Sequence, residues 1–371
     1  AREAAGRAHE ALAPLLAAAW DEAGPWVERM RPLFVNPEAA LPARWRPTGD
    51  WAADARTAFE AAFDGSQVSL HNATHYAFTN THWKGKTQTC YFENTHQLVP
   101  ELETAGLYPF GDLENRFDGA PLSMYMATYY WMPLLAVTLY VALVFGGRLF
   151  MSCLPAAGLK WPLFLWNLAL SAFSWVGVVR TVPHLLGELQ RHGLYYSMCT
   201  PVCQTFGAGS IGLWCWLFII SKFPELIDTA FIVLRKKPLI FLHWYHHVTV
   251  LLYCWQSYTT QNSAGIYFIC MNFSVHAIMY GYYALKAVGL WPRVIPSWTI
   301  TILQLLQMIG GIAVCLLTYK YKNVDQLPCS ISDASFETGV LMYASYFLLF
   351  LQILFKLLSG GAKRKPKRKT E

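Results

Sequence analysis

The chain has 371 residues, of which 54% are hydrophobic, 15% aromatic and 14% charged, and its formal net charge is +6. Soluble domains carry about 25% charged residues, so this composition excludes an ordinary soluble enzyme and points to a membrane protein. The imbalance is local, because the chain is mixed and polar up to about Gly119 while apolar blocks dominate from Met124 onward.

The organisation expected is a mostly soluble N-terminal extension of unknown role over 1–119, a membrane domain over 120–358 and a basic tail over 359–371. In the extension, the Ala-rich, charge-spaced stretch 4–26 predicts an amphipathic helix; it lacks the unbroken apolar core of a signal peptide. Pro32, Pro37, Pro42 and Pro47 then punctuate the chain, and a second short helix is predicted over 52–63. His71, His75, His82 and His96 with Cys90 match no zinc framework, so a solvated loop region is expected there and no metal. Asn72-Ala73-Thr74 is a glycosylation sequon, meaningful only on a lumenal segment. The chain starts at Ala1 without Met, so further native residues are expected ahead of it.

A membrane crossing takes about 20 apolar residues, and blocks near 125–150, 161–182, 209–234, 239–258, 264–288, 295–319 and 338–358 qualify. Seven crossings would put Arg148, Lys160, the run Arg235-Lys236-Lys237, Lys286, Arg293 and the basic tail on one side. The positive-inside rule makes that side cytosolic and the N-terminus lumenal, with Arg180, Arg191, Lys320 and Lys322 dissenting. In the tail, Lys367 and Lys369 have the KxKxx form of an endoplasmic reticulum retrieval signal; the same charges would also suit anionic lipid head groups.

Ionisable side chains are costly at membrane depth and mark function by default. On the third block Lys222, Glu225 and Asp228 recur every three residues; the first two could form a packing ion pair, and Asp228 is left to orient an imidazole. On the fourth, His243-Trp244-Tyr245-His246-His247 is an HxxHH box whose three histidines share one helical face. The fifth carries Asn272, His276 and Tyr280 one turn apart, and the sixth Thr301, Gln304 and Gln307 at three-residue spacing. Each could be polar glue between helices, but four consecutive helices offering polar faces imply a common interior site.

In order and spacing, Lys222-xx-Glu225-xx-Asp228-Thr229, His243-xx-His246-His247, Asn272-xxx-His276-xx-Met279-Tyr280-x-Tyr282-Tyr283 and Thr301-xx-Gln304-xx-Gln307 resemble the motifs of the very-long-chain fatty acid elongases, membrane 3-ketoacyl-CoA synthases. The Trp-Tyr filling of the His box is most similar to the branch acting on saturated and monounsaturated chains, with a polyunsaturated-chain enzyme as the alternative. The resemblance covers roughly 145–371 and not the first hundred residues.

It implies an all-α, multi-pass endoplasmic reticulum protein of about seven transmembrane helices, the last six forming a barrel around a narrow acyl tunnel. It also implies condensation of an acyl-CoA with malonyl-CoA to a 3-oxoacyl-CoA two carbons longer. By the same resemblance His246 is the acyl-accepting nucleophile, a task neutral imidazole can perform. His276 and Asn272 serve the malonyl or enolate end, and His243 and His247 hold the box. Asp228 and Gln304 support it from behind, while Lys222, Glu225, Gln307 and Tyr280 contact substrate. Arg235, Lys236, Lys237 and Lys286 are placed to meet the phosphates of CoA at the cytosolic mouth. No cofactor, metal or nucleic acid is expected; the partners are the bilayer, a ketoreductase, a dehydratase and an enoyl reductase, and a homo-oligomer is compatible. Of nine cysteines, Cys199 and Cys329 fall in lumenal loops and are expected to pair, with Cys203 as competitor.

Two other classes share features. A di-iron desaturase or hydroxylase also uses HxxHH but needs roughly eight imidazoles in several boxes. A transporter or receptor would share the helix count.

Overall fold

In the computed structural model, the described residues are 48–63, 82–83, 86–87, 111–292 and 296–361. The predicted helix at 4–26, His71, His75, His96, Cys90, the sequon, Arg293 and the tail lysines lie outside them, as does the side chain of His82.

The helix expected at 52–63 is α1 (Trp51–Phe63). A minimal hairpin of β1 (His82–Trp83) and β2 (Lys86–Thr87) follows. Next come α2 (Gly111–Asn115), α3 (Ala120–Thr128) and α4 (Trp131–Ser152). The helix α5 (Lys160–Cys199) is followed by α6 (Gly209–Glu225), α7 (Ile227–Leu234), α8 (Phe241–Thr259) and α9 (Gly265–Val288). The last two are α10 (Trp298–Tyr319), continued by a π-turn to Val324, and α11 (Asp333–Gly361).

Each apolar block is therefore helical, but three boundaries differ from expectation. The first block is two helices, parted at Tyr129 and Tyr130. The second runs past Pro183 to Gly193, whose backbone (φ 80°, ψ 178°) makes the real turn. Proline costs a helix one hydrogen bond, and here the buried stripe Ser174, Gly177, Thr181, His184 and Glu188 continues across it, so packing overrides the break. That packing is chiefly against α9: Ser171 donates to the Ala277 carbonyl at 2.7 Å, and a Cβ on Gly177 would meet the Phe273 ring at 2.6 Å. The third block breaks at Leu226, just after Pro224, where the bonds Leu226 N to Phe223 O and Thr229 N to Leu226 O span only three residues.

Part of the N-terminal extension belongs to the same packed body. Ala58 and Ala62 of α1 are wholly buried. The Asp54 carboxylate accepts hydrogen bonds from Tyr129 Oη at 2.5 Å and Thr48 Oγ1 at 2.8 Å, and Asp118 N donates to the Ala62 carbonyl at 2.8 Å. Glu114 then ties α2 to α5 and α6, accepting from Arg180 Nε (3.1 Å), Ser210 Oγ (2.6 Å) and Trp214 Nε1 (3.0 Å). At the same end Cys199 and Cys329 form the expected disulfide, joining the end of α5 to the loop before α11. Cys203 is itself disulfide-bonded and does not compete for either.

Large apolar side chains such as Leu149, Phe150, Trp161, Leu165, Leu306, Leu341 and Phe355 are exposed on the outer faces of α4, α5, α10 and α11. An apolar exterior of this extent is a lipid-facing one. Among the described residues, four helical stretches are long and apolar enough to cross a membrane: Trp131–Ser152, Lys160–Cys199, Trp298–Val324 and Asp333–Ser359. The segments between them fall short by that measure: α6 and α7 are too short because the helix breaks at Leu226, while α8 and α9 carry polar residues of the site.

Candidate active site

Between these helices lies a cavity of about 640 Å³. Its wall draws on every helix from α5 to α11, from Leu163 and Asn167 of α5 to Phe350 and Ile353 of α11. Topology orders it: the end of α7, the start of α8 and the end of α9 share one end, where Arg235, Lys237 and Lys286 form a basic mouth. Going inward along α9, Lys286 gives way to Tyr280, His276 and Asn272, a depth of about 21 Å at helical rise.

The HxxHH box occupies the first turns of α8, and its spacing stacks the rings as expected. His243 and His247 are 4.6 Å apart between ring centroids, and His246 and His247 5.6 Å. All three line the cavity. The His246 imidazole makes no hydrogen bond to any described residue and lies 5.0 Å from the Tyr346 ring of α11. Facing the box, Asn272 Nδ2 sits 3.1 Å from His276 Nε2, and the His276 ring meets Tyr280 edge-on at 5.2 Å.

Behind this layer Lys222 is nearly fully buried, at 2% exposure, so its ammonium must be partnered. It donates to Glu225 Oε1 at 2.7 Å and to Asn272 Oδ1 at 3.3 Å, and lies over the Phe218 ring at 4.1 Å. Ser221 Oγ adds a second hydrogen bond to Glu225 Oε1. The Lys222–Glu225 pair is thus an internal ion pair, and it also anchors a residue of the site.

Of the residues singled out in sequence, Glu225, Asp228, Arg235, Lys237, His243, His246, His247, Asn272, His276, Tyr280, Lys286, Gln304 and Gln307 all line the cavity. Gln304 Nε2 donates to Met279 Sδ at 3.2 Å, and Lys286 Nζ hydrogen-bonds the Tyr282 hydroxyl. Three expectations are corrected. Lys222, expected to contact substrate, lies off the cavity wall and holds Glu225 and Asn272 instead. Lys236 is exposed and off the cavity wall, because it forms the left-handed corner (φ 51°) of the turn closing α7. Asp228 orients no imidazole: its carboxylate accepts from Trp166 Nε1 at 2.6 Å and from Tyr280 Oη at 2.8 Å. The tightened turn at Leu226 brings the next residue to the box instead, and Thr229 Oγ1 meets His243 Nε2 at 2.9 Å.

Trp166, Asn167 and Tyr140 went unmarked in sequence. Tryptophan, asparagine and tyrosine are unremarkable in apolar helices, and only the fold shows that Trp166 reaches Asp228 and that Tyr140 reaches Thr229 at 2.7 Å. Among the described residues, no three His, Cys, Asp or Glu side chains converge as metal ligands.

A family model described as ELO: GNS1/SUR4 family matches residues 125–369. The chain belongs to the ELO family. Among its relatives, Very long chain fatty acid elongase 6 of Drosophila melanogaster is 43% identical over 262 residues, covering 68% of this chain and 80% of the relative. Fatty acid elongase 3 of Trypanosoma brucei brucei is 38% identical, covering 65% and 88%, and Very long chain fatty acid elongase 6 of Gallus gallus is 39% identical, covering 69% and 95%. The family match begins at Tyr125, so α1 and α2 lie ahead of the matched residues.

Proposed function

We propose that this protein condenses a long-chain fatty acyl-CoA with malonyl-CoA to give a 3-oxoacyl-CoA two carbons longer, with release of CO2 and CoA. The observation that carries the reading is a single cavity with a basic mouth and an unengaged imidazole, His246, at depth beside His276 and Asn272. A polyanionic CoA suits the mouth, at Arg235, Lys237 and Lys286, while the acyl group reaches inward. Family membership and the elongase relatives support the same reaction, and the Trp244-Tyr245 filling of the box favours saturated and monounsaturated chains.

In the chemistry that fits, an imidazole nitrogen of His246 attacks the thioester carbonyl, the C–S bond breaks, and CoA leaves as the thiol with the imidazole proton. Malonyl-CoA then loses its carboxylate as CO2. The resulting enolate carbon attacks the acyl carbonyl, the C–N bond breaks, and one proton taken up restores the imidazole. His276 and Asn272 serve the enolate oxygen as donors. His243 and His247 hold the box, and Gln307 and Tyr280 shape the wall. No metal or other cofactor enters this scheme.

The same reading places the protein in the endoplasmic reticulum membrane with the Cys199–Cys329 end lumenal and the basic mouth cytosolic. A disulfide suits an oxidising lumen and acyl-CoA is a cytosolic substrate, which together support that orientation. Seven crossings follow if α6 with α7, α8 and α9 span beside the four apolar stretches. The 3-oxoacyl product requires a ketoreductase, a dehydratase and an enoyl reductase downstream.

Purified protein given labelled malonyl-CoA and a panel of long-chain acyl-CoAs tests the activity, and intact mass after acyl-CoA alone tests the route. The expected result is 3-oxoacyl-CoA, with an acyl adduct absent from His246→Ala. Product without any adduct would remove His246 as nucleophile, and no condensation across the panel would overturn the function.

A further inference from the structure

The helix α4 contributes nothing to the cavity wall, yet one of its residues connects to the histidine box. Tyr140 Oη lies 2.7 Å from Thr229 Oγ1, and Thr229 Oγ1 lies 2.9 Å from His243 Nε2. Tyr140 is 4% exposed and Thr229 wholly buried, so both hydroxyls are shielded from bulk water. Among the described residues, the phenol has no other hydrogen-bond partner, and the threonine hydroxyl has only these two.

The three groups can be hydrogen-bonded in two directions. If His243 Nε2 carried the proton, it would donate to Thr229 and Thr229 would donate to Tyr140. The phenolic proton, on a strong donor, would then be buried with no acceptor, at a cost of about 1–3 kcal/mol. If Tyr140 donates to Thr229 and Thr229 donates to the lone pair of His243 Nε2, both hydroxyl protons are used, and the one N–H left to place belongs to a residue that lines the cavity. The second direction leaves His243 neutral with its proton on Nδ1.

We propose that Tyr140 and Thr229 are positioning residues that hold His243 in its Nδ1-protonated tautomer. This rests on the condensation reading, in which His243 supports the box around His246. Fixing the tautomer makes Nδ1–H a donor of one identity and one place in the site, where an unrestrained imidazole would divide between two. The hydroxyl of Thr229, and not the bulk of its side chain, is what the arrangement requires.

The test uses the full chain with Thr229→Val, Thr229→Ser and Tyr140→Phe, each assayed for condensation and each labelled with 15N-histidine. Thr229→Val, which keeps the shape, lowers kcat about 10-fold or more with KM little changed. Thr229→Ser, which keeps the hydroxyl, stays within about 3-fold of the parent, and Tyr140→Phe falls between them. The His243 signal, identified by its loss in His243→Gln, shows an unprotonated Nε2 in the parent and a mixture of tautomers in Thr229→Val. A Thr229→Val enzyme equal to the parent, a Thr229→Ser enzyme as impaired as Thr229→Val, or a parent signal with Nε2 protonated would each overturn the proposal. A parent that makes no 3-oxoacyl-CoA would overturn the condensation reading instead, and the tautomer signal would still decide the inference.

Discussion

Lys222 Nζ lies 3.3 Å from Asn272 Oδ1, and that contact fixes which way round the asparagine amide sits. An ammonium donates and never accepts, so it must meet the oxygen. The NH2 group is thereby turned to His276 Nε2 at 3.1 Å, which must be the acceptor. Asn272→Asp keeps the contact with Lys222 and strengthens it, but removes the donor from His276. Condensation should fall by about 100-fold or more while thermal stability is kept, and an assay beside a melting curve in detergent checks both. Activity near the parent's would detach the amide from the chemistry.

The Lys222–Glu225 pair makes a stability prediction. Lys222→Met leaves a buried carboxylate whose second oxygen, Oε2, already lacks a partner among the described residues, and should cost about 3–5 kcal/mol. Adding Glu225→Gln removes the stranded charge and should recover most of the loss, because the desolvation of both ions disappears together. Thermal unfolding of the single and double variants decides it; an additive double variant would mean the two residues are not coupled.

The disulfide between Cys199 and Cys329 closes a loop of 130 residues in sequence. A crosslink of that span restricts the unfolded chain by roughly 4–5 kcal/mol in the entropy treatment. Cys199→Ser with Cys329→Ser should melt at a lower temperature than the parent, and reductant should shift the parent without shifting the variant further by the same amount. Equal melting of parent and variant in oxidising buffer would count against a clamping role.

Asp118 joins the same end of the molecule, and burial pushes its carboxyl up to about 6 against a hydrogen bond from Ala120 N that lowers it. An acid whose folded value is raised holds its proton better folded than unfolded. Stability should therefore rise as pH falls from about 6 toward 4 and stay lower above 6, a span of about 2–3 kcal/mol at most. Asp54 works in the opposite sense. Burial acts to raise it, but hydrogen bonds from Tyr129 and Thr48 outweigh burial and hold it below the usual carboxylate range, so its contribution is lost only at lower pH. Asp118→Asn retains a carbonyl oxygen for Ala120 N and should flatten the pH dependence between 4 and 6. A parent whose melting temperature does not change over that range would contradict the assignment.

The site was largely legible because membrane helices make polar residues conspicuous. His243, His246, His247, Asn272 and His276 stood out against apolar neighbours, and helical periodicity alone put them on facing stripes. What periodicity assumes is an unbroken helix. The tightened turn at Leu226 moved Asp228 to Trp166 and Tyr280 and brought Thr229 to His243, which no spacing rule across 222–228 anticipates. Pro183 misled in the other direction, since burial of His184 and Glu188 carries α5 through it. Tyr140 and Trp166 gave no signal because their partners come from helices distant in the chain.

The division of labour among the helices bears on how the protein is made. The stretches apolar enough to enter a bilayer unaided stand at the two ends of the domain, and the segments bearing the active site lie between them in the chain. On the membrane-insertion scale a charge such as that of Lys222 costs α6 about 2.5–3.5 kcal/mol at mid-helix. Part of their partnering comes from one another, Lys222 of α6, already paired with Glu225, meeting Asn272 of α9. A ribosome-bound chain that has passed α7 but not α9 therefore carries an unfinished polar core. Chain synthesis halted there should yield a species that quality control removes.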